Sequence, residues 1–348
     1  MTTIIAFIVV FSVVVLSHEL GHFFFSRLVG IKVLELGLGL GPRIAKFVRN
    51  GVPYTINLLP LGGFIKIAGI NPETESKEDK YKRKESYLSK NPLQKFITVF
   101  GGPLANIVAA FLIFIIVFSF FGIPSGISNE ISNISENSEA QRIGLMPGDK
   151  IVQVNGQAVI KMQDAVKIIH GSAGRRVFLT IKRSGQTLKL SAVPRFNERM
   201  KAGLIGFTLK PTYKRVNIFR SIWEAGKQTV GFVMLFIYIL GMLITGKIPL
   251  GDVSGPVGIA QFTGQAAGEG IMALLMFTAF LSINLGVLNL LPIPALDGGR
   301  LVFIIIEAIR RKPIDIKLEN RIHLIGIIFL LSLFFVITIN DVLRIFGR

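Results

Sequence analysis

The chain has 348 residues, of which 51% are hydrophobic and 17% are charged, and its mean hydropathy is +0.58. This composition is too apolar for an ordinary soluble enzyme and fits a multi-span membrane protein that carries a soluble insert. The net charge of +18 comes from basic residues scattered among apolar stretches, so we expect no nucleic-acid partner. Because cysteine is absent, any metal ion must be held by histidine and carboxylate side chains.

The first predicted element is a membrane helix over residues 4–28, and it carries the motif His-Glu-Leu-Gly-His. His18 and His22 are four positions apart, so on a helix they share one face and both imidazoles can reach one metal ion. Glu19 lies beside them, where a carboxylate can accept a proton from a water molecule. Polar groups inside an apolar helix are costly and are functional by default. The motif therefore predicts a zinc-protease centre at membrane depth.

The loop after this helix predicts a membrane-associated β-hairpin, with strands near residues 31–40 and 52–59. The first strand contains Gly37, Gly39 and Gly41, and glycine in a strand often marks the close approach of another backbone. A protease needs its substrate extended, and a hairpin can offer an open strand to it, so these glycines are candidate substrate-binding residues. The alternative is an ordinary hairpin that closes the fold.

Further membrane helices are predicted at residues 96–121, 271–291 and 324–339, while the 16-residue run 230–245 is borderline. Residues 27–95 carry 13 Lys or Arg and residues 300–321 carry 6, which indicates that both loops are cytoplasmic. We therefore expect a polytopic α-helical membrane protein with about four transmembrane helices. The predicted regions are the first two spans with the hairpin, an inserted domain, a connecting region and the last two spans (1–122, 124–195, 196–268 and 269–348).

The inserted segment 124–195 has short β-branched runs, tight turns and one amphipathic helix near 162–170, which predicts a small α+β domain. Its residues 140–156, AQRIGLMPGDKIVQVNG, resemble the bacterial, circularly permuted PDZ domain. The resemblance implies a groove for an extended peptide between the strand at Ile127 and the helix face of Val166 and Ile169. The alternative is that these three are core residues and that the groove is vestigial.

A third metal ligand is needed, and the best candidate is Asp297 in the segment NLLPIPALDGG. Two prolines break a membrane helix just before it, and broken backbone at membrane depth is tolerated only when it is buried or lines a cavity. His170 and His323 are the other candidates, and capping a helix is the alternative role for Asp297.

Taken together, the His-Glu-x-x-His motif, the PDZ-like insert and N-x-x-P-x-P-x-L-D-G resemble the site-2 protease family of intramembrane zinc proteases, in particular the bacterial regulator-of-sigma-factor proteases. The resemblance implies one Zn²⁺ per chain bound by His18, His22 and Asp297, with Glu19 as the catalytic carboxylate. It also implies substrate contacts from Asn289 and Pro294. Further matching segments are 37–42, 57–63, 101–106 and 254–257. One departure is that the best-known enterobacterial members carry two PDZ domains and this chain has room for one.

The expected activity is endopeptidase cleavage of transmembrane segments in single-span proteins, anti-sigma-factor-like or signal-peptide-like, during regulated intramembrane proteolysis. The expected location is the bacterial cytoplasmic membrane, with the PDZ domain and both termini outside and the active site near the cytoplasmic side. If Asp297 is a ligand, the run 230–245 cannot cross the bilayer, because crossing would deliver Asp297 to the wrong side; we expect it to be interfacial or re-entrant. An inactive membrane chaperone or scaffold with a peptide-binding PDZ domain is the alternative function, and a metal transporter is a second one.

Overall fold

The computed structural model describes residues 2–70, 81–198, 200–249, 251 and 253–346. The chain divides into two compact units. The helical unit comprises Met1–Phe120 and Asn217–Arg348, and the inserted unit comprises Phe121–Val216.

Long apolar helices dominate the helical unit. In chain order its elements are α1 (Thr2–Leu28), β1 (Val33–Arg49), β2 (Val52–Ile67), two 3₁₀ turns (Arg83–Glu85 and Tyr87–Ser89), α2 (Pro92–Phe120), α5 (Ile218–Ile244), α6 (Pro256–Glu269), α7 (Ile271–Asn289), α8 (Asp297–Arg310) and α9 (Ile316–Phe346).

Small residues let the central helices approach closely. Gly21 of α1 faces the backbone of Gly101 in α2, where a side-chain Cβ would overlap the Gly101 carbonyl. Gly286 of α7 lies against the Pro103 carbonyl of α2, and Ser282 Oγ donates to the Asn106 carbonyl at 2.8 Å. Close glycine contacts and side-chain hydrogen bonds are how membrane helices associate, since lipid provides no hydrophobic driving force between them.

The same contacts fix the direction of α7 relative to α2. Ser282 lies beside Asn106 and Gly286 beside Pro103, so the two helices are antiparallel. Counted back along both helices, the start of α7 at Ile271 lies level with the last turn of α2. The chain therefore leaves α2 and enters α7 at the same end of this helix pair.

Five helices in the described residues are long and apolar enough to cross a membrane: Thr3–Leu28, Pro92–Phe120, Ile218–Ile244, Ile271–Asn289 and Lys317–Leu343. The sequence predicted about four, and it treated residues 230–245 as a short borderline run. That estimate of length was wrong, because α5 is one continuous helix of 27 residues. The first third of α5 contains charged residues, Arg220, Glu224 and Lys227, which form ion pairs with one another one turn apart and which concealed the helix from a hydropathy reading.

The predicted hairpin is present, and it folds into a small sheet of its own. The first half of β1 pairs on one side with the end of β2 (Leu36 with Ile65) and on the other side with its start (Leu36 with Tyr54). The second half of β1 turns back and pairs with the start of β2 as well (Phe47 with Tyr54). The turn uses positive φ angles at Gly39 and Gly41, +83° and +89°, which glycine adopts without a steric cost.

The inserted unit is a small α+β domain. Its elements are β3 (Ile123–Ile134), α3 (Glu139–Arg142), β4 (Lys150–Val154), β5 (Gln157–Ala158), α4 (Met162–His170), β6 (Val177–Arg183), β7 (Gln186–Ala192), β8 (Arg195–Asn197), β9 (Ala202–Leu204) and β10 (Phe207–Lys214). The main sheet has the order β10-β3-β4-β6-β7, with β5 paired to β4. Its core is apolar and fully buried at Ile151, Val154, Leu179 and Ile181. The unit extends beyond the predicted boundary at 195, because β10 returns to pair with β3.

Candidate metal centre

Three potential ligand atoms converge between α1 and the start of α8. Asp297 Oδ2 lies 3.0 Å from His18 Nε2 and 3.3 Å from His22 Nε2, and the two Nε2 atoms are 3.2 Å apart. Both imidazoles are buried, and the carboxylate is 22% exposed. Among the described residues, this is the group of histidine and acidic side chains whose spacing suits a metal ion. The structure thus brings together the three residues that the sequence singled out from distant segments.

The spacing fits zinc. Tetrahedral bonds of about 2.0–2.1 Å to N and O ligands separate the ligand atoms by about 3.3–3.4 Å. The tautomer also fits, because His22 Nδ1 lies 2.9 Å from the Thr98 carbonyl, which can only accept. Nδ1 therefore carries a hydrogen, and in the neutral imidazole the bare Nε2 of His22 faces Asp297 Oδ2, a buried atom with no hydrogen-bond partner. Lone pairs aimed at one another repel unless a cation lies between them.

His18 has an orienting partner of its own in Asn106 of α2, which is fully buried. Asn106 Nδ2 is 3.4 Å from His18 Nδ1, while Asn106 Oδ1 has no partner. The two ends of an amide are interchangeable in such assignments. With the amide turned over, His18 Nδ1–H donates to Oδ1, which satisfies both groups and leaves Nε2 free for a metal ion. Hydrogen-bonded second nitrogens of this kind fix the orientation of metal-binding histidines.

Glycines make room for this arrangement. A Cβ on Gly102 of α2 would overlap both imidazole rings, so the rings lie directly over the α2 backbone. At the other ligand, Gly298 and Gly299 follow Asp297, and a Cβ on them would overlap the carbonyls of Leu291 and Ile293 respectively. The two glycines therefore let the first turn of α8 fold against the broken segment before it. Sequence reasoning missed Asn106 and Gly102, although the segment 101–106 had been noted as a match without any role.

Glu19 lies on α1 next to both imidazoles and beside the hairpin sheet. A Cβ built on Gly63 of β2 would be 3.5 Å from Glu19 Cγ. Asn289 ends α7 and is half-buried, eight residues before Asp297. Pro294 lies in the broken segment and contacts α9 at Gly326. The structure gives no contact of Asn289 or Pro294 with the three ligand atoms, and their substrate role stays a prediction.

The hairpin glycines do not lie on an open strand, which corrects the prediction for them. Gly37 pairs with Phe64 on one side and Thr55 on the other, so its strand is internal to the sheet. A Cβ at Gly37 would overlap the Phe64 ring, so this glycine makes room for packing. Gly39 and Gly41 serve the turn. The predicted alternative, a role in closing the fold, describes these three residues.

The peptide groove predicted between the strand at Ile127 and the helix face of Val166 and Ile169 stays a prediction. Ile127 is on β3 and pairs with Pro211 of β10, whereas β4 pairs with β3 only at Glu130. Beside Ile127, no described strand pairs with the other edge of β3. Ile169 is 3% exposed and belongs to the core, while Val166 is half-buried against it. The edge strands of the described sheet are β7 and β10, and β10 lies beyond the predicted domain boundary.

The two other histidines proposed as ligands have different surroundings. His323 accepts a hydrogen bond at Nδ1 from the Ala295 backbone N–H at 3.0 Å. His170 is the last residue of α4 in the inserted unit. Neither belongs to the ligand group around His22.

A zinc metallopeptidase needs metal ligands and a nearby carboxylate to hydrolyse a peptide bond. Here two histidines and an aspartate whose spacing fits zinc lie beside a glutamate, and apolar helices carry all four. The class that fold and site define is a membrane-type zinc metallopeptidase.

Comparison with known proteins makes the assignment narrower. The sequence pattern of Peptidase family M50 matches residues 6–333. The regulator of sigma-W protease RasP from Bacillus subtilis is 32% identical, with 99% of each chain covered. Zinc metalloprotease RasP from Geobacillus kaustophilus is 33% identical, with 99% of this chain and 98% of the relative covered. A putative zinc metalloprotease from Clostridium acetobutylicum is 36% identical, with 97% of each covered. The chain belongs to Peptidase family M50, the site-2 proteases, and is a site-2-type zinc metalloprotease, as its motifs predicted.

Among solved structures, a PDZ domain of an SdrC-like protein from Listeria monocytogenes is similar to part of the chain. It is 22% identical with a TM-score of 0.22, and the match covers 24% of this chain and 86% of that one. The corresponding domain from Listeria innocua has the same identity and TM-score, with 93% of that chain covered.

Proposed function

We propose that this protein is an endopeptidase that binds one Zn²⁺ per chain and cleaves transmembrane segments of single-span membrane proteins. The observation that carries the proposal is the convergence of His18, His22 and Asp297 beside Glu19, inside a bundle whose outer surface is apolar. The name of the Bacillus subtilis relative, regulator of sigma-W protease, favours an anti-sigma-factor-like substrate.

The chemistry divides between the metal ion and the chain. Zinc held by the three ligands supplies a Lewis acid that polarises the scissile carbonyl and lowers the pKa of water. Glu19 accepts a proton from the water as its oxygen bonds to the scissile carbonyl carbon, and it then passes that proton to the amide nitrogen, which leaves as the amine when the C–N bond breaks. Thr98 and Asn106 hold the two imidazoles in the tautomer that this arrangement needs.

The substrate must be extended beside the metal ion where it is cut, and the end of β2 is the strand that we propose holds it there. The end of β2, from Gly63 to Ile67, is an outer strand of the hairpin sheet, and Gly63 lies beside Glu19 and Val15 of α1. We propose that the unwound substrate segment adds to this edge. Backbone hydrogen bonds to an edge strand bind a peptide with little dependence on its side chains.

We further propose the topology of the bacterial cytoplasmic membrane protein predicted above, with α1, α2, α7 and α9 crossing and α5 not completing a crossing. The Phe232 ring of α5 stacks on Phe114, which is six residues, or about 9 Å of helix, from the outer end of α2. After α5 ends at Ile244, Gly251 follows within seven residues, and its carbonyl accepts from Asn340 near the other outer end, that of α9. Seven extended residues span at most about 25 Å, too little to recross a bilayer core of about 30 Å.

This topology places the inserted unit and both termini outside and the metal centre near the cytoplasmic side. A cysteine introduced at Ile160, which is 93% exposed, should react with an impermeant reagent on intact cells, whereas one at Leu88 should react only after lysis. The chain has no cysteine of its own, so the label reports one position. The reverse pattern would overturn the orientation.

The partners we propose are the substrate, the lipid bilayer and, for the inserted unit, an extended peptide in the groove between β3 and α4. No nucleic acid is among them. The alternative function, a membrane scaffold without catalysis, predicts that Glu19 is dispensable.

The experiment that separates the two is Glu19→Gln in the full chain, tested on a single-span reporter in membranes. We expect cleavage to fall by at least about 10²-fold, since a proton acceptor of this kind contributes that much, while zinc content stays at one per chain. The matched control is Glu136→Gln, an exposed residue of the inserted unit, which should cleave like the wild type. Cleavage by Glu19→Gln at the wild-type rate would exclude the proposed mechanism.

A further inference from the structure

The segment between α7 and α8 is an irregular turn that must hold Asp297 in place. Residues 290–296 are not helical, and Ala295 has a φ of +82°, a left-handed conformation that is costly for a residue with a Cβ. Such a conformation persists only when the surroundings impose it. Contacts from another part of the fold must therefore hold Ala295 in this conformation, two residues before Asp297.

Two contacts from α9 hold this segment. His323 Nδ1 accepts the Ala295 N–H at 3.0 Å. Three residues later on the same helix face, Gly326 meets the Pro294 carbonyl so closely that a Cβ there would overlap it. A hydrogen bond and a close backbone contact, at adjacent residues of the turn, thus fasten the irregular segment to α9.

The hydrogen bond fixes the state of the imidazole. Because the Ala295 N–H is a donor, His323 Nδ1 must be bare and its hydrogen must be on Nε2. Nε2 faces Glu319 Oε1 at 3.8 Å, and the same oxygen lies 3.4 Å from Arg300 Nε in the first turn of α8. Arg300 follows Asp297 by three residues, so the same short stretch of α9 contacts the chain on both sides of the ligand.

We propose that His323 is a positioning residue for the metal centre. By accepting a hydrogen bond from the Ala295 N–H, it holds the left-handed turn that directs Asp297 toward His18 and His22. This inference rests on the proposed metal site. It also gives His323 a function without making it a ligand. The hydrogen bond from the Ala295 N–H to His323 thus links α9 to the residue that holds the metal ion.

Two isosteric variants test the hydrogen bond separately from packing. In His323→Asn the amide oxygen takes the place of Nδ1, whereas in His323→Gln it lies one bond further out, near the place of Nε2. Zinc affinity is measured on the full chain in detergent by competition with a chelator, and the absorption spectrum of the Co²⁺-substituted protein reports the coordination geometry. We expect His323→Asn to stay within about threefold of the wild-type affinity and His323→Gln to lose about 10–100-fold, the usual cost of removing an outer partner of a ligand, with a changed Co²⁺ spectrum.

Equal zinc affinity and equal spectra for wild type and His323→Gln would overturn the proposal, and so would equal losses for the two variants. His323→Leu, which removes any acceptor, should match His323→Gln or be worse. Asp297→Ala is measured in parallel. If Asp297→Ala binds zinc like the wild type, the metal site itself is wrong; if Asp297→Ala loses zinc and His323→Gln does not, only the positioning role fails.

Discussion

The two units of this protein are built in opposite senses. The helical unit exposes large apolar side chains, with Ile4 at 65%, Phe120 at 73% and Phe335 at 65%, and it buries His18 and Asn106. The inserted unit has an apolar core instead, and its charged residues lie mostly on its surface. Apolar surface in contact with lipid costs nothing, whereas in water it must be buried. The difference shows that close packing of glycines and apolar side chains, together with buried polar groups, holds the helical unit together, whereas the hydrophobic effect holds the inserted unit together.

Because glycines make the closest helix contacts in the helical unit, replacing one of them by alanine should disturb this unit most. Gly102→Ala adds one Cβ beneath both imidazoles, and the rings must move to admit it. A displacement of about 1 Å at a catalytic centre can cost about 10²-fold in rate, so we expect at least that loss, together with loss of bound zinc measured by elemental analysis.

The matched control is Gly231→Ala in α5, where a Cβ meets nothing within 4 Å. Its activity and zinc content should equal those of the wild type. If Gly102→Ala retains both, the close approach of α2 to the imidazoles does not matter for the centre.

In the inserted unit the largest effect should come from the apolar core. Ile151 is fully buried, and Ile151→Ala should lower the free energy of unfolding of this unit by about 2–5 kcal/mol. Hydrogen exchange of β4 and β6 amides in the full chain measures the change. Ile160→Ala, at a residue 93% exposed, is the control and should change it by less than about 0.5 kcal/mol. Zinc content should be unaffected, and its loss would show that the units are energetically coupled.

A smaller effect tests the buried polar contact in the helical unit. Asn106→Ala removes the partner of His18 and should weaken zinc binding by about 10–100-fold. Asn106→Asp keeps an acceptor for His18 Nδ1–H and should restore most of the affinity, because carboxylates commonly fill this role. Equal losses in the two variants would mean that the amide nitrogen, and not the oxygen, faces His18.

The smallest effect concerns an ion pair of the inserted unit between the buried Glu139 and the exposed Arg142. The Glu139 carboxylate accepts hydrogen bonds from Arg142 Nε, at 2.8 Å, and from the Val193 N–H. These bonds lower the pKa of Glu139 from 4.5 to about 2. A lowered carboxyl pKa stabilises the fold above the unfolded value and loses that contribution as pH falls from about 4.5 to 2. Arg142 is 63% exposed, so solvent screening limits the effect to about 1 kcal/mol.

Hydrogen exchange of the inserted unit across this pH range measures the loss. Glu139→Gln should show a smaller dependence on pH than the wild type between about pH 5 and 2, the range that contains the pKa of Glu139 in the unfolded and in the folded protein. An unchanged dependence would assign the acid sensitivity to other carboxylates, such as Asp149, whose burial is outweighed by Arg183 and the Met146 N–H so that its pKa is also lowered.

Parts of this architecture could be predicted because they are local. Helical periodicity alone puts His18 and His22 on one face with Glu19 to one side of them, and the prolines before Asp297 mark a broken membrane helix. Strand character and glycine spacing were enough to predict the hairpin of β1 and β2. The free edges were not predictable from these patterns: they depend on β10 returning to β3 and on β2 flanking β1 on both sides.

The sequence by itself determined the chemistry of the centre, since spacing along one helix and the absence of cysteine restrict the donor atoms that a metal ion can meet. Only the tertiary structure decided that Asn106 and Thr98 orient the imidazoles and that His323 accepts a hydrogen bond from the Ala295 N–H. It also decided that the chain meets α9 at Asn340 seven residues after α5 ends. Each of these is a contact between residues far apart in the chain. Helix and strand periods carry information about neighbours a few positions apart, whereas such contacts are decided by how whole elements pack.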